Sequence, residues 1–128
     1  MRPDQVQRYA RHILLPDVGG IGQRRLFGGA VVVDDLAGAA EAAVAYLAAA
    51  GVGTIVIHDR GAVDAPGFLF EASDVGRPRL EAGRERITGL NADVRVVSDG
   101  EGLPLPACAD LAAAATAALS ILRTLACP

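Results

Sequence analysis

Apolar positions along this chain fall into two rhythms. Residues 30–33 (AVVV) and 54–57 (TIVI) are short, nearly continuous apolar runs, the pattern of strands covered on both faces within a parallel sheet. Between them, the stretch from about Leu36 or Gly38 to Ala50 is almost wholly Ala, Val, Leu and Tyr46, and Gly51 stands where a helix C-cap belongs. Strand, turn, helix and strand make one βαβ crossover. His58 and Asp59 lie at its tip, the edge beyond which ligands of open α/β sheets sit.

Around this unit the pattern is more broken. Residues 4–13 suit a short helix that starts near Asp4, with Val6, Tyr9 and Ile13 on one face, and residues 21–27 suit a second that ends at Gly28-Gly29. This leader is too small to hold a core and must pack on the following unit or on another chain. Residues 60–76 read as a loop carrying an apolar plug, Phe68-Leu69-Phe70. A helix is predicted from Arg77-Pro78 to about Leu90, with Leu80, Ile87 and Leu90 inward and Arg84, Glu85 and Arg86 outward. Residues 91–97 give a turn and a third strand, residues 98–106 a polar connection, and residues 108–126 an Ala/Leu helix capped near Asp110. The expected fold is α/β, a small Rossmann-like three-layer arrangement with a short parallel sheet of three strands. It forms a single domain over residues 1–128: a helical leader (1–29), a βαβαβ core (30–97) and a closing helix (107–127).

Composition narrows the classes. A chain of 128 residues that is 52% hydrophobic can bury roughly two-thirds of the surface its unfolded form exposes. A net charge of −3 gives no electrostatic reason to expect nucleic acid or an anionic membrane as partner. All 12 basic residues are arginine, so no lysine is available for phosphate binding or a Schiff base. Cys108 and Cys127 are too few and too poorly spaced for a metal cluster or a disulfide scaffold, and they read as small packing groups. His12 and His58 lack ligand-spaced companions, so no metal site is expected. The chain opens without a signal pattern and has no apolar run of membrane-spanning length, which predicts a cytoplasmic protein.

One set of motifs carries a resemblance. Arg8-Tyr9-Ala10-Arg11-His12-Ile13-Leu14-Leu15-Pro16-Asp17-Val18-Gly19, followed by Gly22-Gln23, is similar to the opening of the MoeB/ThiF family, bacterial relatives of ubiquitin-activating enzymes. Tyr46-Leu47-Ala48-Ala49-Ala50-Gly51-Val52-Gly53, the Phe68-Leu69-Phe70 plug and Asp74-Val75-Gly76-Arg77-Pro78-Arg79 follow in the family's order, so the similarity runs over residues 8–97. It implies adenylation, with ATP and magnesium, of the C-terminal glycine of a ubiquitin-like sulfur-carrier protein by a symmetric dimer.

Carried over residue by residue, the resemblance is uneven. Where the family has a Gly-x-Gly-Gly-x-Gly turn, this chain has Asp35 to Ala40, with only Gly38 matching. Side chains at Ala37 and Ala40 crowd a phosphate, and Asp34 and Asp35 repel it. The acid implied to hold the ribose is kept as Asp59, while a second acid is replaced by Gly61. The phosphate lysine becomes Arg79, and the family's Asn-x-x-Arg is missing from the shortened stretch 63–67. Beyond Val97 the magnesium-placing Thr-Asp-Asn segment, the thiol loop and the zinc pairs have no counterpart. Arg11 matches an arginine that reaches onto a partner's ATP phosphates.

The reading is therefore a non-catalytic relative acting as a dimerising or partner-binding subunit, with no cofactor of its own. It would form a homodimer through the Tyr46 helix and the leader, or a heterodimer that lends Arg11 to an active paralogue. The alternative is a working ATP-dependent adenylyltransferase that uses Gly38, Asp59, Arg79 and a partner's Arg11 on a ubiquitin-like carrier.

Overall fold

The computed structural model describes residues 20–127. The expected helix over residues 4–13, and Arg11 with it, lie outside the described residues. From Gly20 the order is α1 (Gly20–Phe27), β1 (Ala30–Val33), α2 (Ala39–Ala50), β2 (Thr54–Ile57), a single 3-10 turn (Ala72–Asp74), α3 (Arg79–Leu90), β3 (Arg95–Val97), β4 (Leu103–Pro104) and α4 (Leu111–Ala126).

The sheet is parallel throughout, in the order β3-β2-β1-β4. β1 and β2 pair from Ala30 opposite Thr54 to Val33 opposite Ile57, and β3 continues from Arg95 opposite Thr54. Three strands were expected and four are found. The stretch 98–106, read as a connection, contains β4, which pairs Leu103 with Val31 and Pro104 with Val32 and covers the second side of β1. With two residues, one of them proline, β4 leaves no periodic signature. Proline is tolerated there because an edge strand need not donate outward. The Leu105 amide resumes the ladder by donating to the Val32 carbonyl at 2.8 Å.

Alternate strand residues Val31, Val33, Ile55, Ile57 and Val96 enter one apolar cluster with side chains from all four described helices, among them Leu26, Leu47, Ile87 and Leu122. Each such side chain contributes about 1.5–3 kcal/mol on burial. Val56, on the other sheet face, lies outside that cluster, with Gly100 of the connection close against it.

Of the two packing choices open to the leader's second helix, α1 takes the following unit. Leu26 is fully buried, Arg25 Nη1 donates to the Ala126 carbonyl at 3.3 Å, and Gln23 Nε2 donates to the Ala50 carbonyl at 2.9 Å. The seat depends on Gly53, where a Cβ would stand 1.7 Å from the Phe27 carbonyl oxygen.

α2 ends at Gly51 in the left-handed conformation, as expected. α4 starts behind Asp110, whose carboxylate accepts from the Ala113 amide at 2.8 Å. α3 departs from its expected faces. Leu90, predicted inward, is half exposed in the last turn, and Arg86, predicted outward, turns in to bind buried Asp74. The plug is also smaller than it reads, because Leu69 and Phe70 are buried while Phe68 is 59% exposed.

Candidate functional site

Asp59, two residues past β2, organises the carboxyl edge of the sheet. Its carboxylate accepts from the Leu36 amide at 2.9 Å, from the Gly61 amide at 2.8 Å and from Arg79 Nη1 at 2.9 Å. One buried acid thus joins the turn after β1, the loop after β2 and the first residue of α3. Burial pushes its carboxyl upward, but the Gly61 and Leu36 amides and Arg79 outweigh it and hold the pKa below its ordinary 3.8. A carboxylate offers about four acceptor positions. Among the described residues three are taken, leaving one on Oδ1.

Gly38 sits at the N-terminus of α2 with φ 62 and ψ −135, a backbone that L side chains rarely adopt, and no side chain caps the helix there. Glu41, in the first turn, is buried. Its Oε1 accepts from the Leu69 amide at 3.0 Å and the Phe70 amide at 3.1 Å. This bond fixes the plug against α2. Acids surround Arg79: besides Asp59, Asp64 accepts from Nη2 at 2.9 Å and Asp35 lies 3.6 Å from Nη1. His58 Nδ1 stands 3.4 Å from Asp34 across the strand tips.

Two cavities flank Asp59 and Arg79. The larger, about 570 Å³, is lined by Ile57, His58, Asp59, Arg60, Ser98 and Asp99 among others. The smaller, about 360 Å³, lies between the turn 36–38 and the loop 63–70, with Glu41 and Arg79 in its wall.

A match to the ThiF family model covers residues 9–121. The chain belongs to the ThiF family. The probable adenylyltransferase/sulfurtransferase MoeZ of Mycobacterium tuberculosis is 39% identical over 97 residues, which are 73% of this chain and 25% of MoeZ. The sulfur carrier protein ThiS adenylyltransferase of Escherichia coli is 35% identical over 102 residues, 77% of this chain and 41% of the relative. The chain thus spans between a quarter and about two-fifths of the length of these relatives. Among solved structures, PaaA superposes with a TM-score of 0.70 at 27% identity, over 77% of this chain and 34% of PaaA. The E. coli tRNA N6-threonylcarbamoyladenosine dehydratase TcdA in complex with AMP has the same fold, with a TM-score of 0.65 at 22% identity over 79% of this chain and 42% of TcdA.

Of the site residues expected of this ThiF-family chain, Gly38, Asp59 and Arg79 come together around the turn after β1, and Arg11 lies outside the described residues. Sequence reasoning missed Glu41 and Asp64. The signal for Glu41 was a lone acid in an otherwise apolar helix; Asp64, an exposed loop acid, offered none. Cys108 is partly buried, and burial pushes its thiol up. Cys127, expected to pack, is exposed. Among the described residues no cluster of His, Cys, Asp and Glu is placed to hold a metal ion, and no helix is long and apolar enough to cross a membrane.

Proposed function

We propose that this chain is a nucleotide-holding core for ATP-dependent activation of a ubiquitin-like carrier protein, the activity its family membership and the names of its relatives favour. The observation that carries the reading is Asp59, which has one acceptor position left on Oδ1, in the wall of the 570 Å³ cavity, with Arg79 beside it. A ribose hydroxyl donates to Asp59, the base occupies the larger cavity, and the phosphates run toward Gly38 and Arg79. The carrier's C-terminal carboxylate then attacks the α-phosphorus, pyrophosphate leaves, and an acyl-adenylate forms. Ala37 and Ala40 keep the phosphates farther from the backbone than glycines would. Titration calorimetry with Mg-ATP checks this reading: saturable sub-millimolar binding is expected, weakened about tenfold by Arg79→Ala, the loss of one charge-assisted bond. Pyrophosphate exchange should then depend on a carrier ending in Gly-Gly. No saturable heat up to millimolar ATP would overturn it.

A second, non-catalytic reading is favoured by the acids on the turn and the facing loop, since Asp34, Asp35 and Asp64 outnumber the one arginine among them. Under it the chain serves as a partner-binding subunit that pairs through the apolar surface of Tyr46, Leu111 and Leu119, all exposed, and lends Arg11 to an active paralogue. Light scattering that gives a monomer at micromolar concentration, together with an Arg11→Ala change that leaves a paralogue's adenylation rate untouched, would dispose of it.

A further inference from the structure

Arg79 holds two kinds of acid. Asp59 is 7% exposed and fixed by two backbone amides, so its pair with Nη1 is part of the fold. Asp64 and Asp35 are 85% and 82% exposed and come from the two loops that border the smaller cavity. Among the described residues Asp64 alone binds Nη2, the end of the guanidinium not committed to Asp59. Through Oδ2, at 2.9 Å, its carboxylate offers that nitrogen the same acceptor chemistry as an oxygen of a phosphate. Exposed ion pairs of this sort are weak and exchangeable.

We infer that Asp64, assisted by Asp35, acts as an internal stand-in for phosphate on Arg79, an autoinhibitory contact that an incoming polyphosphate displaces. The inference rests on the nucleotide reading of the site and adds its regulation. Asp59 keeps Arg79 aimed at the cavity in both states. Asp64 gives up Nη2 to the ligand, and Asp35, at 3.6 Å, moves from weak attraction by the arginine to repulsion by the phosphate.

The test uses the full chain, with inorganic tripolyphosphate and ATP as probes in low-salt calorimetry, in EDTA and again with magnesium. Asp64→Asn and Asp35→Asn should each tighten tripolyphosphate binding up to about fivefold, and the double change up to about twentyfold. The gain should vanish in an Arg79→Ala background. Unchanged affinity in the double variant overturns the inference, as does a gain that survives Arg79→Ala, which would mark a general surface-charge effect. Magnesium-dependent binding that is lost in Asp64→Asn also overturns it, by assigning the acid to the cation. If tripolyphosphate behaves as expected but ATP gives no saturable heat with the unaltered chain or with the double variant, the contact stands and the nucleotide reading fails. If ATP binds the unaltered chain well and the double variant no better, the reading stands and the contact fails.

Discussion

Glu41 shows how much of this site is held by single side chains that touch no ligand. Taking a carboxylate out of water is costly unless its acceptors are used, and Glu41 uses them on the Leu69 and Phe70 amides, 28 and 29 residues away. Glu41→Ala leaves both amides without an acceptor and should destabilise the protein by about 1–3 kcal/mol in urea unfolding. Glu41→Gln, which retains one acceptor oxygen, should cost less. In the alanine variant, limited proteolysis should gain a cleavage site at residues 66–70, because the plug loses its tether to α2. Asp59 and Arg79 could be picked out from the chain as an acid at a strand tip and a cation at a helix start. Which partners they choose could not, beyond the neighbouring Gly61 amide, since the other hydrogen bonds span 15 to 23 residues.

At the level of elements, backbone requirements decide where the turn after β1 can go. Gly38 has open space where a Cβ would stand but a φ of 62, so Gly38→Ala should cost about 1–3 kcal/mol from backbone strain alone. A shift in melting temperature with α2 helicity preserved by circular dichroism would check that the strain stays local. The βαβ unit was readable because its apolar runs are continuous and its helix ends at a glycine. The fold class and strands β1 to β3 followed from that. β4 was not readable, because pairing with β1 is decided by where the chain crosses the sheet rather than by a repeat in its own two residues. α3 misled at Arg86 for a related reason: helical periodicity assigns faces, but a buried acid such as Asp74 can draw an arginine across them.

For the whole molecule, Asp74 should contribute, with Asp59, to the acid limit. Hydrogen bonds from Arg86, then from the Glu71 amide and Arg77, hold its carboxyl well below the usual carboxylate range. The folded state therefore takes up this proton less readily than the unfolded chain, whose value is near 3.8. Stability from Asp74 should be complete above about pH 5 and drain away as the pH falls through and below that unfolded value. Melting temperatures between pH 7 and pH 3 check this. Asp74→Asn should lower them at pH 7 and flatten the acid limb, and an unchanged slope would place the sensitivity elsewhere.

Asp59 has one more consequence. Because it ties strand tip, turn and helix together before any ligand arrives, the ordering entropy of these three segments is met during folding. A ligand of the proposed kind would meet a rigid frame at this edge, and its binding would cost the displacement of small exposed groups instead of the closing of loops.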